Sequence, residues 1–257
     1  MVIAHLIHDA CSLRACSLTC YSLYIAAVPH LHHTLTVGIN PFVPSLLAGP
    51  PTYPSSQWSD RIQHMNKLDL LPFVKKLRIC GTFIDYHRGF YPELVSFSLL
   101  HKFSALSNVR ELFIQYLDIS TFTQRPQPLF RHFLPTVQSL ALILPKGSHR
   151  QIIYFIGLFQ HLEDLNLYPR YPELKQEYSV DDLTLIPHFA PPLRGRLKMH
   201  YSNKVEFLAD MISLFGGLRF RSMDLYCVDG MQLLLGACAE TLETLRLRLA
   251  DFFCKQL

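Results

Sequence analysis

Few residues have the types and spacing needed for chemistry. His30, His32 and His33 cluster. Histidines that share a metal usually stand at i, i+4 on a helix or join a cysteine cluster. These three fall on a turn and a strand start with no carboxylate close in sequence, so no metal site is expected. Cys16 and Cys20 stand four apart, which puts both on one face of a helix; a buried packing pair is the expectation. Asp181 and Asp182 precede an apolar helical stretch and read as charge favoured by a helix N-terminus. The chain has no GxSxG, HExxH, P-loop or GxGxxG motif. The expectation is a protein that is not an enzyme and needs no cofactor. The competing reading is a hydrolase on a compact α/β sheet, with groups that meet only in space.

Composition narrows the classes. Among 257 residues, 49% are hydrophobic and 17% charged, enough apolar material for a sizeable core and too much for a disordered chain. The net charge of +4 is mild, and no block of like charge occurs, so no nucleic-acid partner is expected. The uncharged run Ala15–Val28 is 14 residues, shorter than the ~20 that span a bilayer. It follows His5, His8 and Asp9 and ends at Pro29, unlike a signal peptide; no membrane association is expected. Seven cysteines without a CxxC pair read as buried thiols of a reducing compartment. No Asn-x-Ser/Thr sequon occurs. A cytoplasmic or nuclear location fits both.

The elements that would position any site come from an internal repeat. Val74–Ile79, Val109–Ile114, Val137–Leu142, Leu162–Leu167 and Leu242–Leu247 share the pattern apolar-x-x-apolar-x-apolar. Two irregular copies surround Leu197/Met199 and Met223/Leu225, whose anchors Leu193 and Leu218 sit one and two residues too far away. The copies recur every 22 to 35 residues, 28 on average, close to the ~20–29 of leucine-rich repeats. Side chains alternate faces along a strand, so Leu77 and Ile79 point one way and Lys76 and Arg78 the other. Helix-like spacing marks Leu94–Phe103, Gln151–Phe159, Val205–Phe215 and Gly230–Ala239. One strand and one helix cannot bury their own apolar faces, but stacked copies can. The expected fold is therefore α/β, a leucine-rich-repeat-like solenoid with a parallel sheet on one side and helices on the other. A compact doubly wound sheet would want a glycine-rich turn after its first strand, and only Gly81 follows Cys80.

The residues between the repeat leucines then share one concave face. Arg78, Phe113, Asp164, Tyr168, Lys198, Tyr226 and Arg246 are its candidate partner-binding residues. Mixed charge with exposed aromatics suits protein recognition better than a phosphate backbone, which favours a continuous basic track. Leu112, Leu140, Leu165 and Leu245 are expected to stack, buried, behind it.

Residues 1–37 differ from the rest. Val2, Ile3, Leu6 and Ile7 have helical spacing, Asp9 and Ser12 can cap a second helix running through Leu13 to Tyr21, and Ser22–His30 reads as a third that ends at Pro29. The segment HDACSLRACSLTCYSLYIAAVPHLHHTLTV resembles the second half of an F-box: an acidic turn, a Cys-Ser-Leu-x-Cys helix, then a helix ending in His-Leu before a short strand. The Leu-Pro and Glu-Leu that usually open the motif do not precede Met1, and Leu23 stands where a Trp is common. With the repeats behind it, the chain resembles an F-box/leucine-rich-repeat protein of the fungal type with a truncated F-box. That resemblance implies a substrate-recognition subunit of a cullin-RING ubiquitin ligase. The S-phase-kinase-associated adaptor would meet Val2, Ile3, Leu6, Leu13 and Leu23, and an unidentified protein substrate would lie on the repeats. A repeat scaffold without the ligase role is the nearer alternative.

Pro41, Pro44, Pro50, Pro51 and Pro54 make 38–60 a linker that cannot hold a regular element, which leaves 61–257 for the solenoid. The stub Leu249–Leu257 is short and apolar for a terminal cap, and Phe252 or Phe253 is expected to cover the end of the core.

Overall fold

Period-two alternation in the repeated segments becomes strands. The computed structural model describes residues 6, 9–38, 58–80, 95–96, 106–118, 135–145, 147–168, 193–202, 205–228 and 230–248. Strands β1 (Thr34–Gly38), β2 (Lys76–Cys80), β4 (Glu111–Gln115), β6 (Ser139–Ile143), β7 (Asp164–Tyr168), β8 (Leu193–Ser202), β9 (Leu218–Val228) and β10 (Thr244–Arg248) form one sheet. Every pair is parallel and the order follows the sequence. The expected strands are all present, and the sheet gains one more at its start: β1 pairs with β2, so it begins inside 1–37. Short β3 (Val95–Ser96) and β5 (Leu117–Asp118) pair separately. Val95 and Ser96 are thus extended where apolar spacing predicts a helix.

The register stacks identical positions. Leu35, Leu77, Leu112, Leu140, Leu165, Leu197, Met223 and Leu245 form one row across the sheet, and Val37 through Leu247 a second two residues on. From β1 to β9 both rows are buried, joined in one core with Ile152 and Phe155 of α4 (His149–Gly157), Phe207 and Met211 of α5 (Val205–Leu214) and Leu234 of α6 (Met231–Ala237). Val28 of α2 (Tyr21–Leu31) and Met65 of α3 (Trp58–Lys67) belong to the same core, and both helices meet the turn Leu71–Phe73 ahead of β2. Full burial of each such side chain contributes about 1.5–3 kcal/mol. The last rung breaks the expectation of burial: Leu245 is 41% exposed and Leu247 46%. Among the described strands β10 ends the sheet order, so no described strand lies over this rung.

Strands β2, β4, β6 and β7 begin in the same way. Two successive N–H groups donate to the carbonyl just before the preceding strand: Lys75 and Lys76 to His33, Arg110 and Glu111 to Lys75, Gln138 and Ser139 to Arg110, Glu163 and Asp164 to Gln138, all at 2.7–3.0 Å. At β8 the device changes. Arg196 alone donates to Glu163 O, at 2.7 Å, and Gly195 presses its Cα side against the same carbonyl with φ +83. Here also the β8–β9 register slips, Gly195 pairing with Phe220 but Arg196 with Ser222. Arg221 is the extra residue of a β-bulge, which lets Leu218 and Phe220, as well as Met223 and Leu225, all face the core. The five-residue step from Leu218 to Met223 in the sequence is the mark of this bulge, whereas Leu193 and Leu197 are in plain alternation along β8. Strand ends repeat as well: Tyr116 (φ 59) and Leu144 (φ 51) follow β4 and β6 in the left-handed region.

Ser148 opens α4 with a reciprocal cap, its Oγ accepting from the Gln151 N–H at 3.2 Å while Gln151 Oε1 accepts from the Ser148 N–H at 2.8 Å. In the N-terminal segment α1 (Ala10–Ser17) is capped by Asp9, whose carboxylate accepts from the Cys11 and Ser12 N–H groups and the Ser12 hydroxyl. The Ser12 bonds hold the Asp9 carboxyl below its ordinary range. The helix stops at Ser17, earlier than expected, and Cys20 is the exposed N-cap of α2 rather than a packed neighbour of Cys16. Pro29 lies in the last turns of α2 instead of ending it. Cys238 is buried, Cys11 and Cys20 are exposed, and Cys16 and Cys80 are half-buried. Trp58 opens α3, so a helix begins inside the 38–60 interval. The proline run, Val2, Ile3, Asp181, Asp182, Phe252 and Phe253 lie outside the described residues. Among the described residues no helix is long and apolar enough to cross a membrane.

Candidate functional site

Alternation that sends the leucines inward sends a polar set to the opposite face of the same sheet. All seven candidate partner-binding residues lie there. Arg78, Phe113, Lys198 and Arg246 fall in one row, which also contains Asn166 and Asp224. Asp164 belongs to the row before it, and Tyr168 and Tyr226 to the row after.

Neighbouring strands neutralise part of this face. Lys76 pairs with Glu111, Asp164 with Arg196 at 3.7 Å, and Arg248 with Asp224 at 3.3 Å. These are exposed or half-exposed pairs, each worth roughly 0–1 kcal/mol, so they shape the surface more than they stabilise it. Arg78 spreads its guanidinium 4.8 Å over the Phe113 ring, a cation–π contact that leaves its buried Nε without a hydrogen bond. Asn166 Oδ1 is likewise buried without a hydrogen-bond partner.

The remaining charge is cationic. Among the described residues Lys198 and Arg246 form no ion pair. Arg194 and Arg219, one row closer to the strand starts, stand directly opposite each other across β8 and β9, an arrangement that costs stability unless a counter-charge arrives.

Sequence reasoning places His200 on this face without singling it out, and it is the centre of the aromatic group. Its ring stacks on Tyr168 at 5.2 Å and leans on Tyr226 at 5.8 Å. The three come from β7, β8 and β9, so only the register reveals the stack. Burial holds the His200 imidazole below the ordinary histidine value; Lys198 and Arg248 add to this and Asp224 opposes it. The ring is thereby biased towards its neutral, stacking form.

At the N-terminus the expected adaptor residues divide. Leu13 is 1% exposed and packs against Ala27, with Leu6 and Leu23 half-buried around them. Leu13 is therefore buried where α1 meets α2 rather than displayed on the outer surface. The outward apolar group is instead Leu18, Tyr21, Tyr24 and Ile25, with Leu18 86% and Tyr21 75% exposed; Tyr21 and Tyr24 stack at 6.4 Å. The first signal for this group is in the sequence, since an uncharged run in a segment too short for its own core leaves apolar residues outside. His30 lies in the last turn of α2, and His33 serves as the first strand-start acceptor through its carbonyl.

No protein-family model, no curated protein and no solved structure matches the chain.

Proposed function

We propose that this chain is a non-catalytic protein-recognition module that holds its partner on the polar face of the sheet. The observation that carries the reading is the composition of that face: an aromatic stack across three strands, flanked by Lys198 and Arg246, which form no ion pair among the described residues. Aromatic and arginine side chains are the groups that most often anchor protein interfaces, and an acidic stretch of the partner would neutralise Lys198 and relieve the Arg194–Arg219 opposition. Sequential parallel order and the repeated strand starts support reading the fold as a leucine-rich-repeat-like solenoid. The F-box resemblance extends the proposal: the α1–α2 pair docks the S-phase-kinase-associated adaptor and the sheet face presents a substrate to a cullin-RING ligase. Exposed Leu18, Tyr21, Tyr24 and Ile25 supply an apolar surface for that contact in place of Leu13.

Co-purification of the full chain with two surface variants tests both halves. Tyr168→Ala with Tyr226→Ala should abolish capture of the substrate and keep the adaptor. Tyr21→Glu with Ile25→Glu should do the reverse. If neither variant changes any partner while both melt like the wild type, the proposal is wrong.

A further inference from the structure

We infer that Arg194 and Arg219 together bind a single phosphate monoester. The two are register partners on adjacent parallel strands, β8 and β9, which lie about 4.8 Å apart. Both are exposed. Both face the polar side, because Leu193 and Leu218 just before them are buried and side chains alternate along a strand. These two strands also start further back than their neighbours: β7 begins opposite Arg196 and β10 opposite Ser222. The arginine pair therefore stands on a two-strand extension, with no registered residue on either flank among the described strands. The turn into β9, Gly216–Gly217, adds no side chain and has open space around it.

Charge selects the ligand. On the flanking strands Asp164 is engaged by Arg196 at 3.7 Å, and Glu243 by Arg221 at 3.8 Å. Among the described residues Arg194 and Arg219 form no ion pair, with Glu163, with Glu240 or with any other acid. Two like charges directly opposite each other destabilise a sheet, and one carboxylate cancels only one of them. A phosphate monoester carries about −1.5 to −2 charges at pH 7 and three acceptor oxygens. Each guanidinium offers it a planar fork of donors, so one such group neutralises both arginines. A nucleic acid fits less well, because Asp164 and Glu243 interrupt the continuous basic track that a phosphate backbone follows. The inference does not depend on what the Tyr168–His200–Tyr226 stack holds.

Ligand-observed proton NMR on the full chain at low salt tests this with two probes of like shape, phenyl phosphate and phenyl sulfate. The phosphate should bind with a Kd of about 1 mM, and the singly charged sulfate about tenfold more weakly. Phosphate affinity should fall as pH drops through the ester's second pKa of about 6. Arg194→Gln and Arg219→Gln should each weaken phosphate binding about tenfold. Both variants should melt at or slightly above the wild type, since each removes a like charge. Arg194→Lys keeps the charge but loses the fork, so its affinity should fall between. Lys67→Gln, the same charge change on exposed Lys67 at the end of α3, should leave binding unchanged. A phosphoserine peptide then separates the sources of the ester. Binding equal to that of phenyl phosphate assigns the site to a small phosphorylated molecule, and binding tenfold tighter assigns it to a phosphorylated protein. Equal binding of the phosphate and sulfate esters, no binding of either, or full phosphate binding by the folded Gln variants would overturn the inference.

Discussion

Replacing Gly195 with alanine places a methyl group 2.0 Å from the Glu163 carbonyl oxygen and 2.8 Å from its carbon. Both atoms are backbone at the start of β7, so no side chain can swing aside. The residue also sits at φ +83, where an L side chain costs about 1–2 kcal/mol. Moving β8 away from β7 weakens the Arg196 N–H bond to the same carbonyl, now 2.7 Å long, a net loss of about 1 kcal/mol. It also loosens the core around fully buried Phe220, the register partner of Gly195. Together these give about 3–5 kcal/mol, or a melting temperature lower by roughly 10 °C in a chain of this size. Two controls separate the causes. Gly216→Ala carries the positive φ (+62) with open space around it and should cost about 1 kcal/mol. Gly236→Ala in α6 has neither problem and should be neutral or stabilising by up to about 1 kcal/mol. The assay is urea and thermal denaturation of the three variants. If Gly195→Ala loses no more than Gly216→Ala, the close approach at the bulge is not a real constraint.

Other variants probe the same geometry. Leu140→Ala and Leu165→Ala, at buried rungs, should each cost about 2–5 kcal/mol, whereas Leu245→Ala at the open rung should cost under about 1 kcal/mol; equal losses in urea melts would contradict the open end. Ser148→Ala removes the α4 cap and should cost about 1 kcal/mol, read by the same melts, with Ser148→Asp recovering most of it. Because folding depresses the His200 pKa, the unfolded chain binds the proton more readily. This contribution to stability is complete above the unfolded value of about 6.5 and is lost as pH falls through and below it. His200→Gln should therefore flatten the decline in stability between pH 7 and pH 5; an unchanged slope would show that the ring is not held neutral.

What is legible in the sequence is what repeats locally. Leu77, Leu112, Leu140 and Leu165 announce their strands because alternation and spacing suffice to place a strand, and parallel stacking then sets the rows. Leu193 and Leu218 announce an irregularity, but the bulge at Arg221 and the close approach of Gly195 depend on two strands at once. The seven residues assigned to one face share it because face is a local property. The Tyr168–His200–Tyr226 stack is not visible in the sequence, since it joins residues more than twenty apart through a register that no single segment encodes. Leu245 looks like its predecessors in pattern, yet its burial would need a further strand and helix laid over β10. The same holds at the N-terminus, where apolar spacing cannot tell inward Leu13 from outward Leu18 and Tyr21.

Whether the polar face recognises a protein is read most directly by hydroxyl-radical footprinting of the full chain, free and bound to the partner that co-purifies with it. Aromatic and histidine side chains report their own solvent access. With the partner on the polar face, Phe113, Tyr168, His200 and Tyr226 lose reactivity together, while Tyr21 and Tyr24 lose it only when the adaptor is present. If the four sheet residues stay as reactive in the complex as in the free chain, the polar face is not where this protein binds.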